Sequence, residues 1–206
     1  MGALSIWLTA GLVYGGFRLW YDNLRGKLRA DEIERFVDAL RGTPGAEVND
    51  LDTIRRFFEA DDGREFYMLN LVKIAPGEVP HPKTGTPTRA GALMREYARG
   101  FLPVLIRRGG HPALHAAKVG GYIDAWNVPP DPGWTLVGLT RYRSRRDMAE
   151  LATDPRFTVA HPFKLAAIPV TASFPTRPGF ALSLGPRVWV ALVLALIAAL
   201  LQLAVR

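Results

Sequence analysis

The side chains best suited to metal or proton chemistry in this sequence are its histidines, His81, His111, His115 and His161. His111 and His115 have the i, i+4 spacing that would place two metal ligands on one face of a helix. Pro112 and the glycine pair before it instead favour a turn and a strand, where the two histidines would share a face about 13 Å apart. No third ligand stands at motif spacing, and the chain has no cysteine. We therefore predict no metal site and no thiolate chemistry.

Polar side chains within predicted strands are the candidates for lining a ligand pocket: Asn70, Tyr67, Arg141 and Tyr142. Asn70 interrupts an otherwise apolar strand, and a buried amide needs hydrogen-bond partners. It would bond either a ligand or a group of the protein itself, and the internal bond is favoured. The other three would line the pocket, or stack and pair at a sheet face.

Motifs for known catalytic and nucleotide-binding chemistry are absent from the sequence. It has no Walker loop, no GxGxxG after a strand and no GxSxG turn, so we assign no catalytic residue and expect no cofactor. An arginine cluster at 141, 143, 145 and 146 lacks the interleaved aromatic residues of a nucleic-acid interface. We predict no nucleic-acid partner, and attraction to anionic lipid is the simpler use of this positive charge.

The elements that must position these residues follow from hydrophobic periodicity in the middle of the chain. Two amphipathic helices are predicted first, at 30–41 and from Asn49 or Asp50 to about 61. Strands are predicted at 65–74, 113–122, 134–143 and 168–174. Helices are predicted at 90–108, from Ser144 to an Asp-Pro break at 154–155, and at 157–167, and residues 75–89 are predicted as a loop. The β-α-β-β-α-β order predicts an α+β fold of the ferredoxin-like type.

Both ends of the chain are apolar. Residues 1–17 and 188–205 carry no charged side chain. A membrane span needs about 20 residues, and 188–205 comes close to that length by itself. The first stretch reaches it if the Arg18 side chain extends to the lipid headgroups, so that the helix continues to Tyr21. The first stretch lacks the positive charges that open a signal peptide. The predicted organisation is a transmembrane helix at 1–21, a connector with two helices at 22–63, an α/β domain at 64–175, a linker at 176–187 and a transmembrane helix at 188–205.

Small residues mark candidate packing faces on the two predicted spans. Gly11 and Gly15 form a GxxxG pair in the first, and Ala195 and Ala199 form a similar pair in the second. Such spacing lets helix backbones approach closely.

Flanking positive charges predict the orientation in the membrane. Six Lys or Arg residues lie beside the spans on the domain side, against Arg206 alone on the far side. This bias predicts a cytoplasmic domain with both termini outside. We expect the membrane to be a bacterial inner membrane, in keeping with the family resemblance described next.

Three segments resemble the dimeric α/β-barrel superfamily, and its small bacterial branch of uncharacterised domains in particular: FYMLNLVKI at 66–74, YARGFLPVLIRRGG at 97–110 and WTLVGLTRYRSRRDMAELATDPRF at 134–157. The resemblance covers about residues 64–175. It implies that two ferredoxin-like sheets associate face to face, with a pocket in each subunit. Relatives in the wider superfamily include cofactor-independent monooxygenases, lactone isomerases and haem peroxidases.

Two functions remain open from the sequence. The first is a membrane-anchored scaffold or accessory subunit that forms a homodimer or docks onto other subunits of a membrane complex. The second is a small-molecule binder, or an enzyme of the monooxygenase or isomerase kind, that uses the barrel pocket. The lack of a catalytic constellation favours the first.

Overall fold

The computed structural model describes residues 2–179 and 185–205. It divides the chain into two compact units. One consists of Arg25–Arg177, and the other combines Met1–Leu24 with Pro178–Arg206. The leading helices therefore belong to the same unit as the α/β core.

The larger unit contains most of the secondary structure. Its helices are α2 (Ala30–Arg41), α3 (Leu51–Glu59), α4 (Ala90–Arg107), α5 (Arg145–Ala152) and α6 (Pro155–Ala167). Its strands are β1 (Phe66–Lys73), β2 (Glu78–Pro80), β3 (Pro87–Arg89), β4 (His111–Ala117), β5 (Leu136–Tyr142) and β6 (Val170–Thr176). The smaller unit contains α1 (Ala3–Tyr21) and α7 (Pro186–Ala204).

The four long strands form one sheet in the order β4-β5-β1-β6, with every neighbouring pair antiparallel. Strand β5 lies between β1 and β4, which α4 connects, and β6 closes the other edge. This is the βαββαβ arrangement, so the predicted α+β class is confirmed. Strand β4 is shorter at its C-terminal end than predicted, because the Gly120-Gly121 pair has no side chains to pack on the sheet.

The predicted loop at 75–89 was wrong for part of its length, because β2 and β3 pair there as a small hairpin. Pro80 and Pro87 face each other at the end of the pairing, where a missing N–H is tolerated. His81 closes the connection, since its Nδ1 accepts hydrogen bonds from the backbone N–H groups of Lys83 (3.2 Å) and Thr84 (3.3 Å). The His81 side chain thus stabilises the turn between β2 and β3, which the amino-acid composition of residues 75–89 does not predict.

Polar caps set the boundaries of α5 and α6. The Ser144 hydroxyl accepts a hydrogen bond from the Asp147 backbone N–H at 3.1 Å, as the capping spacing predicts. The Asp154 carboxylate accepts from the Arg156 N–H at 3.0 Å, and Pro155 takes the first helical position. The Asp-Pro pair therefore starts α6 two residues before the predicted start at Phe157, because proline fits the first turn of a helix.

Helices α4 and α6 cover one face of the sheet. Their shared core contains Val72 from β1 together with Ala90, Leu93, Phe163, Ala167 and Ile168. The two helices approach closely at Gly100, where an added Cβ would lie 2.4 Å from the Ala160 Cβ and 2.8 Å from the Arg156 carbonyl oxygen. Only a glycine fits this crossing without movement of the neighbouring backbone.

Replacing Gly100 with alanine is expected to lower the free energy of unfolding by about 1–3 kcal/mol, because the new methyl group overpacks the contact. Gly91 in the same helix is the matched control, since a Cβ there meets nothing within 4 Å. Its replacement by alanine is expected to leave stability unchanged or to raise it by up to about 1 kcal/mol. Thermal unfolding of both variants, followed by circular dichroism, should show shifts of opposite sign. Equal melting temperatures would contradict the crowded crossing.

The leading helices dock against α5. Their joint core contains Ile33, Val37, Leu40, Phe58 and Ala149. Beside it lies a buried ion pair, in which Arg146 donates to both oxygens of the Glu32 carboxylate at 3.1 and 2.8 Å. The same guanidinium donates to the Gly26 and Lys27 carbonyls at 2.9 and 2.6 Å. One side chain therefore ties α5 to α2 and to the segment that precedes it.

In the smaller unit, α1 and α7 pack side by side in opposite directions. The Trp7 Nε1 donates to the Gln202 Oε1 at 2.7 Å near one end, and the Arg187 guanidinium pairs with Asp22 at 2.7 Å near the other. The contact between them is apolar and borders a half-open groove of about 160 Å³ lined by Ile6, Thr9, Ala10, Val13, Leu194, Ile197, Ala198 and Leu201.

Of the helices in the described residues, Pro186–Ala204 alone is long and apolar enough to cross a membrane, with a mean hydropathy of 2.2. Helix α1 has the predicted bounds, but the same criteria do not select it. Arg18 and its glycines and aromatic residues lower its apolar character. Length and composition thus support one membrane-spanning helix, where the sequence predicted two.

Gly11 and Gly15 do not mediate the contact between α1 and α7. An added Cβ at either position meets nothing within 4 Å, and both residues are exposed. Ala195 and Ala199 are half-buried beside the buried Ala198. The GxxxG pair stays a prediction for contact with some other helix.

Candidate functional site

The four predicted pocket residues lie on two different faces of the sheet. Side chains alternate along a strand, and Val72 packs against α4 and α6. Asn70 is therefore on the helix-covered face, as is Tyr142, which pairs with Phe66. Tyr67 and Arg141 pair with each other and belong to the opposite face. The sequence could not separate these residues, since strand register is decided by pairing across the sheet.

Arg141 is a fully buried structural arginine. Its guanidinium donates to the Glu65 carboxylate, with Nη2 2.5 Å and Nε 3.1 Å from the same oxygen, and to the Gly109 carbonyl. These bonds tie the end of β5 to the start of β1 and to the turn before β4. In this structure the Arg141 guanidinium therefore binds groups of the protein itself.

Asn70 has partners within the protein. Its amide nitrogen donates to the Met68 carbonyl at 3.0 Å, and its amide oxygen accepts from the Ser173 hydroxyl at 2.8 Å. Both bonds link it to β1 and β6. This is the internal arrangement that the sequence favoured, and a role in ligand binding stays a prediction.

Tyr97 from α4 lies close to Lys164 from α6 and to Tyr142 from β5, and we name these three residues the Tyr97 cluster. The Lys164 Nζ lies 5.9 Å from the centre of the Tyr97 ring. Burial raises the pKa of Tyr97 well above its ordinary value, and the charge of Tyr142 adds to that rise. Burial also raises the pKa of the Tyr142 phenol. The two phenols are therefore close enough to interact.

All three side chains are partly exposed. No hydrogen bond or ion pair joins any of the three polar ends to another described residue, whereas buried polar groups are ordinarily paired.

The electrostatics of Lys164 distinguish the Tyr97 cluster from ordinary core. Burial lowers the pKa of its ammonium group, because the charged form loses hydration. The described residues place no carboxylate within ion-pair distance of it. An amine in this setting can donate to, or pair with, an oxygen of a bound molecule, and the two phenols can donate to further oxygen atoms.

Sequence analysis missed Tyr97 and Lys164 as site residues. Tyr97 carries no signal of a site in the sequence, because an aromatic residue among the apolar positions of a helix is unremarkable. The position of Lys164 could have drawn attention, because it lies four residues after Ala160 and next to Phe163, and both of those residues are buried. A lysine beside the apolar stripe of a helix requires either a route to solvent or a partner.

The four histidines do not come together at one place as metal ligands. A β-bulge between Pro112 and Leu114 puts His111 opposite Arg141 and His115 opposite Gly138, and those two β5 residues point to different faces. The prediction that both histidines share a face was therefore wrong, because the bulge adds a residue between them. Among the described residues, no group of three or more His, Cys, Asp or Glu side chains is arranged to hold a metal.

His161 is the most enclosed of the histidines. Its Nδ1 is 2.8 Å from the Pro44 carbonyl oxygen, and its ring stacks on Phe157 with centroids 5.0 Å apart. Burial lowers its pKa, so the neutral ring is favoured. It fixes the loop after α2 against α6.

The face of the sheet opposite the helices is apolar. Cross-strand pairing aligns one row of four side chains, Leu114, Leu139, Leu69 and Phe174. The next row contains Ala116, Val137, Leu71 and Ala172. Leu114 and Phe174 are each 48% exposed, and none of the rows belongs to the buried clusters of the larger unit.

Comparison with known proteins gives a likeness of fold. No protein-family model matches the chain, and no curated protein matches it. A crystal structure of the methylated RPA0582 protein matches with a TM-score of 0.53 and 24% identity, over 67% of this chain and 94% of that one. A crystal structure of RPA0582, a protein of unknown function from Rhodopseudomonas palustris, matches with a TM-score of 0.53 and 23% identity, over 65% and 96%. At this identity the likeness shows a shared fold alone.

Proposed function

We propose that this protein is a membrane-anchored scaffold or accessory subunit whose α/β domain self-associates through the open face of its sheet. The observation that carries the proposal is the pair of apolar rows that begin at Leu114 and Ala116. Exposed apolar patches of this kind are uncommon on monomers and mark association sites. The resemblance to the dimeric α/β-barrel superfamily adds support, because it implies sheet-to-sheet pairing.

The anchor in this proposal is α7, assisted by α1 as a second span, in a bacterial inner membrane with the domain in the cytoplasm. Support for the second span comes from its 19-residue helix and from the hydrogen bonds that join it to α7. The flanking positive charges support the orientation. The partners are membrane lipid and either a second copy or other subunits of a membrane complex.

Lysine substitution at both Leu114 and Phe174 tests the association. Both side chains are half-exposed, so the charges disturb the sheet face and not the core. The detergent-solubilised wild type is expected to be a dimer by sedimentation, and the double variant a monomer. Val159→Lys, at a 59% exposed position on α6, is the matched control and should remain dimeric. A monomeric wild type, or a dimer that survives the double substitution, would contradict association through this face.

A second candidate function is small-molecule binding at the Tyr97 cluster, and the observation that favours it is that Lys164 has no hydrogen-bond or ion-pair partner among the described residues. The ligand would carry an oxygen-rich group, a carboxylate or a carbonyl, that pairs with the ammonium group and accepts hydrogen bonds from the two phenols.

Replacing Lys164 with methionine is expected to raise the melting temperature of the ligand-free protein, because a buried amine without a partner is removed and its volume is kept. The same variant is expected to lose any thermal stabilisation that a panel of small carboxylates gives the wild type. The exposed Lys83, replaced by methionine, is the control and should change neither measurement. A destabilised Lys164→Met variant would assign the lysine to the fold.

A further inference from the structure

The segment that leads from the larger unit to α7 leaves at one end of the sheet. Thr176, the last residue of β6, pairs with Tyr67 near the start of β1. Arg177 follows directly and forms an ion pair with Asp62, in the turn that precedes β1. The C-terminal segment therefore leaves the larger unit beside the start of β1.

The same turn before β1 also holds the segment that comes from α1. The Asp61 carboxylate accepts a hydrogen bond from the Leu28 backbone N–H at 2.8 Å. An added Cβ at Gly63 would lie 3.2 Å from the Gly26 carbonyl carbon and 3.3 Å from the Lys27 nitrogen, so the two backbones are in contact there. Both segments thus meet at this turn, and we name the part of the larger unit around it the tether end.

The arginine cluster for which the sequence predicts attraction to lipid is already paired within the larger unit. Each of its four guanidinium groups lies within ion-pair distance of a carboxylate: Arg141 of Glu65, Arg143 of Asp147, Arg145 of Asp61 and Arg146 of Glu32. These arginine side chains are also mostly buried, so a lipid headgroup does not reach them. Any charge that the tether end offers to lipid therefore comes from other residues.

Two exposed cations follow the contact between the backbones at the tether end. Lys27 and Arg64 each come directly after one of the two glycines that touch, and both are exposed. Within the described residues, neither charged group takes part in a hydrogen bond or an ion pair. Glu59, the last residue of α3, interacts with Arg55 one helical turn back. The tether end therefore carries two neighbouring positive charges that are available to an external anion.

The length of the chain keeps the tether end close to a bilayer, a step that rests on the proposed membrane anchor. Arg25, the first residue of the larger unit, is four positions after Tyr21 at the end of α1, a reach of at most about 14 Å. Arg177 is nine positions before Pro186 at the start of α7, a reach of at most about 32 Å. Because both connections begin at the tether end, lipid headgroups are present near the two cations at high effective concentration.

We propose that Lys27 and Arg64 bind the headgroups of anionic phospholipids, so that the larger unit rests on the membrane through its tether end. An anionic leaflet attracts basic side chains near its surface, and each contributes about fivefold to the occupancy of the bound state. The two together contribute about 25-fold. This contact does not use the sheet face proposed for self-association, so either can fail without the other.

Because the chain contains no cysteine, single cysteines can carry a fluorophore at chosen positions of the full chain. Ala60→Cys, exposed and directly before the turn, reports on the tether end. Val119→Cys, 100% exposed and in the connection between β4 and β5, reports on the opposite end of the sheet. Leu196→Cys, at a 60% exposed position on α7, reports on the anchor. The vesicles contain phosphatidylcholine alone or mixed with phosphatidylglycerol, and the spin label is on the headgroups or deep in the acyl chains.

The double variant Lys27→Gln with Arg64→Gln removes the two cations from each labelled protein. Lys83→Gln with Arg95→Gln is the matched control, since it removes two exposed positive charges elsewhere. In vesicles with phosphatidylglycerol, headgroup spin labels are expected to quench the label at 60 and not the label at 119. The double variant should lower the ratio of quenched to unquenched label at 60 about 25-fold, and the control variant should behave like the wild type. Phosphatidylcholine alone should likewise give little quenching at 60.

The label on α7 separates failure of this proposal from failure of the anchor. Quenching at 196 by deep spin labels, with quenching at 60 that depends on neither phosphatidylglycerol nor the two cations, would overturn the proposal and leave the anchor intact. Loss of quenching at 196 would overturn the anchor and the lipid contact together. Stronger quenching at 119 than at 60 would put the opposite end of the sheet at the membrane and overturn the proposal. If inorganic phosphate abolished the quenching at 60 at constant ionic strength, the two cations would be assigned to a soluble phosphate instead of lipid.

Discussion

Replacing Arg146 with alanine is expected to lower the free energy of unfolding by about 3–5 kcal/mol, because it leaves the Glu32 carboxylate buried without its cation. The variant also loses the donors to the Gly26 and Lys27 carbonyls. Arg146 is only 3% exposed, so water cannot replace those bonds without opening the contact between α5 and the leading helices. Hydrogen exchange should show the backbone of α2 losing protection before the sheet does.

The pH dependence of this effect provides an independent measurement. Hydrogen bonds from Arg146 lower the pKa of Glu32 from 4.5 to about 2. A carboxylate with a depressed folded-state pKa stabilises the protein above its unfolded pKa, and that contribution is lost as the pH falls from about 4.5 towards 2. The difference in unfolding free energy between the wild type and Arg146→Ala should therefore shrink over that interval.

An exposed ion pair is the control for Arg146. Arg29 pairs with Asp31 while both side chains remain more than half exposed. Alanine at position 29 is expected to cost no more than about 1 kcal/mol. Similar losses for the two variants, or a difference that does not change with pH, would show that the buried pair does not hold the leading helices.

Replacing Arg141 with alanine is expected to cost about 3 kcal/mol, since it removes the partner of Glu65 and leaves the Gly109 carbonyl without its donor. This loss is at the low end for a buried ion pair because the Glu65 side chain is 29% exposed. Arg95, an exposed arginine on α4, serves as the matched control and should tolerate alanine with little loss. Chemical unfolding of the detergent-solubilised protein measures both variants.

This experiment also decides between the two roles that the sequence left open for Arg141. A ligand-binding arginine could be removed with stability nearly unchanged and with binding lost. A structural arginine would behave in the opposite way. An Arg141→Ala variant as stable as Arg95→Ala would restore Arg141 as a pocket residue.

The sequence by itself determined the local features of this protein. The helix at 30–41 has the predicted bounds, and Ser144 and Asp50 cap the helices that follow them, because capping depends on residues two or three positions away. The βαββαβ order likewise followed from hydrophobic periodicity, because the spacing of apolar residues within a segment indicates whether that segment forms a helix or a strand. The apolar character of residues 188–205 was sufficient to identify a candidate span.

Tertiary structure alone decided which side chains meet. The register of β1 against β5 put Asn70 and Tyr142 on one face and Tyr67 and Arg141 on the other, and a bulge in β4 separated His111 from His115. Tyr97 and Lys164 come together only because α4 and α6 cross at Gly100. Such contacts join residues far apart in sequence, and their positions depend on packing across the whole sheet, which no local pattern records.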